Sequence, residues 1–129
     1  MSETAIKKRP KHLNLLVIQQ PLPAILSILH RASGGVIFLL LPVLICLFQM
    51  SLESAETYAA IKECMSYLPV KIILFGLLWL YMHHFCAGIR FLLLDAHVGI
   101  DLRGARLGSM IVFAVSIVLT LIVGGKIIC

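Results

Sequence analysis

Residues 36–48 read VIFLLLPVLICLF, an unbroken apolar run that decides the fold class of this chain. The run lies in a hydrophobic segment that we place at residues 23–50, and two further segments follow at about residues 70–94 and 107–126. A helix needs about 20 residues to cross the hydrocarbon core of a bilayer, and each segment is long enough. The alternating pattern of membrane-spanning strands is absent. The sequence therefore predicts an all-α fold, an integral membrane bundle of three transmembrane helices.

The composition of the whole chain agrees with this fold. Of its 129 residues, 60% are hydrophobic and only 13% are charged, and the mean hydropathy is +1.03. A soluble domain of this size could not bury so much apolar surface, because small domains keep a large surface-to-volume ratio. The basic residues behind the net charge of +5 flank the hydrophobic segments, which disfavours nucleic-acid binding. We divide the chain into an N-terminal segment, residues 1–22, and a membrane domain, residues 23–129.

Basic residues near the ends of the segments predict the orientation of the chain. The N-terminal segment and the connection between the second and third segments are rich in them: Lys7, Lys8, Arg9, Lys11, Arg103 and Arg106. The connection between the first and second segments carries acidic residues as well as lysines. Basic residues stay on the cytoplasmic side, so we expect the N-terminus inside and the C-terminus outside.

Polar side chains gather near the predicted cytoplasmic edge of the first two segments. Ser27, His30 and Arg31 are spaced i, i+3 and i+4, so they share one face of a helix. The second segment runs back toward the same edge and brings His84 and Arg90 with it. Ionisable groups inside membrane spans are costly and are usually retained for a site. The pattern predicts that these side chains converge at one depth and bind a cofactor.

Haem is the cofactor that this chemistry favours. A neutral imidazole nitrogen can donate to the iron without adding charge, and an arginine with a second histidine would suit the haem propionates. His83 and His84 point about 100° apart on a helix, so both should not ligate one iron, and spacing alone does not choose between them. Gly88, on the same helix face as His84, would let a macrocycle approach the backbone or would serve a helix contact.

Each of these residues also has a simpler interpretation. Arg31 and Arg90 could extend to the lipid headgroups at the membrane surface. Ser27 could serve helix packing. On this view the same side chains would belong to a small oligomeric transporter or channel subunit with ionisable groups along a path. In a purely structural scaffold the histidines would make only interhelical hydrogen bonds.

Three stretches resemble the motifs of a known family. Residues 27–34, SILHRASG, are similar to its S-I-x-H-R-x-[ST]-G signature, and residues 84–95, HFCAGIRFLLLD, are similar to its H-x-x-x-G-I-R-x-x-x-x-D motif. Residues 9–13, RPKHL, resemble its R-P-x-x-L segment. The family is that of the cytochrome b556 membrane-anchor subunits of succinate dehydrogenase. The likeness extends over nearly the whole chain.

The resemblance implies an anchor subunit that is not catalytic by itself. Such a chain packs with a second three-helix anchor subunit, beneath a flavoprotein and an iron–sulfur subunit that face the cytoplasm. The two anchors hold haem b and a site for ubiquinone, and electrons pass from succinate to the quinone in the respiratory chain and the tricarboxylic acid cycle. The implied location is the bacterial inner membrane, with a cytoplasmic N-terminus and a periplasmic C-terminus.

The resemblance also implies roles for individual residues. By position, His84 would be the axial ligand of the haem iron, and His30 and Arg31 would contact the haem propionates. Ser27 would hydrogen-bond a quinone carbonyl oxygen, with Arg31 bordering the same quinone. Many relatives have a histidine directly after G-I-R, whereas this chain has Phe91, so no polar role carries over to that position.

Overall fold

The structure is a computed structural model that describes Asn14 and residues 17–127 of the chain. These residues form four helices and no strand: α1 (Leu22–Glu53), α2 (Ala55–Ser66), α3 (Leu68–Asp95) and α4 (Leu102–Ile127). The R-P-x-x-L segment, most of the predicted N-terminal segment and the C-terminal Cys129 lie outside the described residues.

Three of the helices, α1, α3 and α4, are long and apolar enough to cross a membrane, which confirms the expected fold class. α1 contains 32 residues and therefore extends about 48 Å, well beyond the hydrocarbon core of about 30 Å. It continues through Pro42, as expected of a proline inside a membrane helix.

The short helix α2 was not predicted from the sequence, which had indicated only a connection there. Ser54 ends α1 in an extended conformation and begins α2 with a capping box. Its Oγ accepts a hydrogen bond from the Thr57 amide at 3.1 Å, and the Thr57 hydroxyl accepts one from the Ser54 amide at 3.2 Å. These bonds satisfy amides that a helix start leaves unpaired.

A tight connection joins α3 to α4. His97 adopts a left-handed conformation with φ of 63°, and Gly99 follows with φ of 72°, so the chain leaves α3 and turns within a few residues. The Asp101 carboxylate accepts a hydrogen bond from the Gly104 amide at 3.0 Å and caps α4. α3 and α4 therefore run antiparallel as close neighbours.

Small residues let α4 pack closely against the bundle. Ser109, Ser116 and Thr120 are buried on one face of α4, and each hydroxyl donates to a carbonyl of the same helix. At Gly124 a Cβ atom would lie only 2.5 Å from the ring of Phe75 on α3, so a side chain there is excluded. Small side chains that allow close backbone approach are typical of helix contacts in membranes.

The three long helices meet at a small core made of Leu26, Ala87 and Val112, one residue from each helix. Most other large apolar side chains are exposed on this chain alone. A soluble protein does not expose such an area, whereas lipid or other membrane subunits can cover it.

Candidate functional site

His84 on α3 packs directly against Gly34 on α1. A Cβ atom at position 34 would lie 2.8 Å from the imidazole Cε1 and 3.4 Å from Nδ1. Carbon atoms do not approach so closely without strain, so only glycine leaves room for the ring at its present position. Gly34 of the first motif thus leaves the space that the His84 ring of the second motif occupies.

Two groups of α1 hold the inner nitrogen of this ring. The His84 Nδ1 atom lies 3.1 Å from the His30 carbonyl oxygen and 3.1 Å from the Ser33 hydroxyl oxygen. The Ser33 hydroxyl donates to the same His30 carbonyl at 2.8 Å. A carbonyl can only accept, and a hydroxyl that has given its single hydrogen can also only accept.

The tautomer of His84 follows from these bonds. Nδ1 must carry the hydrogen, because both of its partners are acceptors. A neutral imidazole has one N–H, so Nε2 keeps its lone pair. Nε2 has no hydrogen-bond partner among the residues that the structure describes, and His84 is only half-buried. His84 therefore offers the lone pair of Nε2 to a group outside this chain.

His30 lies beside His84 in the same region. The two rings are stacked with centroids 4.3 Å apart and planes 9° apart. The Phe91 ring lies 5.0 Å from the His30 ring, and a Cβ at Gly88 would lie 3.7 Å from His30 Nε2. We call His30 and His84 the histidine pair. Phe91, the residue directly after the G-I-R of the second motif, thus contributes an aromatic contact to His30.

Ser27 lies three residues before His30 on α1, less than one helical turn away, and Arg31 directly follows His30. Arg31 is exposed, and its Nε donates to the Ser27 carbonyl oxygen at 3.3 Å. Ser27 is half-buried, and its hydroxyl makes no hydrogen bond to another described residue. Both side chains can therefore contact a molecule outside this chain.

The other histidine of the second segment has the opposite environment. His83 is 1% exposed and lies between the rings of Trp79 and Phe113, at 5.4 Å and 5.2 Å. Neither of its ring nitrogens has a hydrogen-bond partner among the described residues. Because the chain itself encloses the ring, a bulky external group cannot reach it in this conformation.

Arg90 does not join the histidine pair, so the predicted convergence of five residues is only partly met. Arg90 is 7% exposed, and its Nη2 donates to the Ala105 carbonyl of α4 at 3.1 Å. Its Nε would lie 3.2 Å from a Cβ at Gly108. Arg90 therefore fastens α3 to α4 and does not extend to the lipid headgroups.

Ser33 and Gly34 belong to the first motif, but the sequence pattern predicted no role for either residue. The available signal was their spacing, since a serine hydroxyl commonly reaches the carbonyl three residues earlier, here that of His30. Their contacts with His84 join residues 51 and 50 positions apart in the chain, and spacing within one helix does not show them.

The described residues contain no group of three or more histidine, cysteine, aspartate or glutamate side chains that could hold a metal ion. The arrangement here is a single imidazole with a free nitrogen. One imidazole lone pair can supply one ligand to a metal that a macrocycle holds.

Comparison with known proteins identifies the class of this membrane bundle. The family model described as succinate dehydrogenase/fumarate reductase transmembrane subunit matches residues 5–123. The match covers most of the sequence, and the chain belongs to this family. The family expected from the motifs is thereby confirmed, and nothing in the comparisons supports a transporter or a channel.

Individual relatives are similar over nearly their full length. The succinate dehydrogenase cytochrome b556 subunit of Coxiella burnetii is 32% identical over 118 residues, which are 91% of this chain and 94% of the relative. The subunit of the same name from Paracoccus denitrificans is 31% identical over 126 residues, 95% of this chain and 94% of the relative. A succinate dehydrogenase cytochrome b560 subunit of Reclinomonas americana is 29% identical over 120 residues, which are 88% of this chain and 83% of the relative.

Proposed function

We propose that this chain is the haem b-binding membrane-anchor subunit of a succinate dehydrogenase that passes electrons from succinate to ubiquinone. It has no catalytic residues of its own for succinate oxidation and works with a flavoprotein, an iron–sulfur subunit and a second three-helix anchor. The observation that carries the proposal is the geometry of His84, whose Nδ1 is held by α1 while Nε2 is free.

The residues present fit a haem group. In metal sites the second ring nitrogen of a ligating histidine is commonly held by a carbonyl, and His84 has this arrangement before any metal is considered. Haem supplies one-electron transfer when it is bound. This chain would hold it through His84 Nε2, and the positive charge of Arg31 with the ring of His30 would favour the propionates. The second axial ligand would come from the other anchor subunit.

Ser27 and Arg31 are proposed to bind the quinone. Reduction of a quinone places negative charge and then protons on its carbonyl oxygens. A hydroxyl and a guanidinium separated by about one turn can donate hydrogen bonds to such an oxygen, and in a low-dielectric pocket these bonds are stronger than in water. The free Ser27 hydroxyl and the exposed Arg31 support this role.

A reduced-minus-oxidised visible spectrum tests the proposal. The chain is expressed with its partner subunits, and the purified complex is expected to show the sharp α-band of a six-coordinate b haem and to reduce ubiquinone with succinate. A complex that assembles with full succinate-to-quinone turnover but has no b haem would contradict the haem role. Absence of both haem and quinone reduction would contradict the function.

The orientation of the chain is part of the same proposal. His30 lies in the third turn of α1 and His84 lies just past the middle of α3, so the histidine pair is nearer the end of the bundle that carries the α3–α4 connection. Arg103 and Arg106 lie at that end, so the positive-inside rule assigns it to the cytoplasm of a bacterial cell, where the succinate-oxidising subunits would dock. The C-terminus is then periplasmic.

Thiol labelling measures this orientation. In a version without the four native cysteines, single cysteines replace Glu56 on α2 and Arg103 on α4, both exposed. A membrane-impermeant maleimide applied to spheroplasts is expected to label Glu56→Cys and to leave Arg103→Cys unlabelled until the membrane is broken. The reverse pattern would invert the topology.

A further inference from the structure

We infer that Ser33 is a positioning residue for His84, and that its hydroxyl tunes the imidazole that would bind the haem iron. The inference rests on the proposed haem role of His84. Ser33 itself touches neither the iron nor the quinone in this scheme. It acts through the Nδ1 hydrogen of His84.

The buried location of Ser33 makes this contact well defined. Ser33 is 3% exposed, and its Oγ lies 3.1 Å from His84 Nδ1 and 2.8 Å from the His30 carbonyl oxygen. The hydroxyl gives its hydrogen to the carbonyl, so toward His84 it presents a lone pair. The His84 N–H is therefore shared between two acceptors, and the three groups form a closed triangle.

A substitution can remove one of the two acceptors, the Ser33 hydroxyl, but not the other, the His30 carbonyl. The His30 carbonyl is backbone and remains whatever side chain is present. Loss of the Ser33 hydroxyl would still leave the His84 N–H bonded to that carbonyl at 3.1 Å. No buried donor or acceptor is then left without a partner, so the change should be tolerated by the fold.

The electronic consequence has a definite sign. Hydrogen bonding to the second ring nitrogen makes a ligating histidine more basic, and a more basic ligand stabilises the oxidised iron. Removal of one of the two acceptors weakens that effect. The haem of a Ser33→Ala complex is therefore expected to have a higher midpoint potential than the wild-type haem. The affinity of the Ser33→Ala complex for haem should fall by on the order of 10-fold, the lower end of what loss of such a hydrogen-bond partner commonly costs.

The experiment compares four complexes that contain all partner subunits. Ser33→Ala removes the acceptor, whereas Ser33→Thr keeps an oxygen that can bond the carbonyl three residues earlier. Ser116→Ala is the matched control, since Ser116 is also buried and its hydroxyl donates to the Phe113 carbonyl three residues earlier at 3.0 Å, but on α4. Potentiometric titration of the haem, haem retention on dilution and the EPR spectrum of the oxidised haem are measured for each.

The expected result is an upward shift of potential and an altered EPR spectrum for Ser33→Ala, with Ser33→Thr and Ser116→Ala close to wild type. An unchanged potential and spectrum in Ser33→Ala overturns the inference, as do equal changes in Ser33→Ala and Ser116→Ala. If the Ser33→Ala complex does not assemble, Ser33→Cys replaces it in the test, because sulfur is a weak hydrogen-bond acceptor. The haem of the Ser33→Cys complex should then have a higher midpoint potential than the haem of the Ser33→Thr complex. A wild-type complex without b haem refutes the proposed function together with this inference, whereas a wild-type haem with an unaffected Ser33→Ala refutes the inference alone.

Discussion

His83 and His84 are neighbours in the chain, yet one lies inside the bundle and the other lies at its surface. His83 is enclosed by Trp79 and Phe113 and has no hydrogen-bond partner among the described residues. His84 is held by α1 through Nδ1 and keeps Nε2 free. The two residues are of the same type, and they differ in whether a ring nitrogen with a free lone pair can be reached from outside the chain.

The two arginines differ in the same way. Arg31 is exposed near the start of α1, whereas Arg90 is buried and donates to a backbone carbonyl of α4. A charged side chain within a membrane bundle can therefore serve either an external ligand or the contact between two helices. The comparison separates a surface region with His84 and Arg31 from an interior region with His83 and Arg90.

The sharpest test of this comparison replaces each histidine. His84→Leu is expected to remove the b haem or leave it high-spin, because one axial ligand is lost. His83→Leu should keep the six-coordinate spectrum, since it removes only a buried ring whose nitrogens have no partner. Visible spectra of the purified complexes measure both. Loss of haem in His83→Leu with a normal spectrum in His84→Leu would reverse the assignment.

The next test concerns quinone reduction. Ser27→Ala and Arg31→Leu are each expected to lower succinate-to-ubiquinone turnover by on the order of 100-fold, the usual cost of removing a donor from an atom where charge develops. Succinate oxidation by a soluble dye, which accepts electrons before the quinone, should remain nearly intact. Lys126→Leu serves as the control, because Lys126 is an exposed cation at the opposite end of α4. Equal losses in both assays would mean that Ser27 and Arg31 support assembly.

Part of this arrangement was predictable from the sequence, because membrane helices have a strong local signal. The three apolar segments gave the three long helices, and the i, i+3, i+4 spacing gave the common face of Ser27, His30 and Arg31. Helix α2 was missed because its start depends on the Ser54–Thr57 capping box in a polar stretch with little hydrophobic periodicity.

The contacts between helices were not predictable from spacing. Arg90 donates to the Ala105 carbonyl because of the way α4 packs against α3. The spacing of the motif alone was equally compatible with an Arg90 side chain beside the histidine pair. Spacing within α3 likewise could not show which of His83 and His84 faces α1, because that depends on the rotation of α3 against α1. For the same reason the sequence left Gly88 open between approach to a macrocycle and a helix contact, and it did not show that the glycine packed against His84 is Gly34.

Two adjacent glycines provide a smaller test with an internal control. Gly34→Ala would place a Cβ 2.8 Å from His84 Cε1, whereas nothing lies within 4 Å of a Cβ at Gly35. The first variant is expected to displace the imidazole and lower haem affinity several-fold, about 1 kcal/mol or more of binding energy. Gly35→Ala should bind haem normally and gain up to about 1 kcal/mol of helix stability. Identical haem binding in the two variants would show that Gly34 does not seat His84.

The smallest effect is expected at the interior arginine. Arg90→Met removes the hydrogen bond to Ala105, which destabilises the complex. The variant also removes a buried charge, and because burying a charge is unfavourable, this offsets part of the loss. The Ala105 carbonyl stays satisfied, since the Ser109 hydroxyl also donates to it at 2.8 Å. Interhelical hydrogen bonds in membrane proteins contribute about 0.6 kcal/mol on average, so we expect a destabilisation of no more than about 0.6 kcal/mol. A thermal-unfolding assay of the purified complex measures it, with the exposed Arg103→Met as the control.

The spectrum decides what this arginine does. If Arg90 acts only between α3 and α4, the haem band and the quinone turnover of Arg90→Met should match wild type once the sample contains fully assembled complex. A changed haem potential in complex that is fully assembled would place Arg90 with His84 and Arg31. The division between a surface region for ligands and an interior region for packing would then fail at its second residue pair, even though it holds for the histidines.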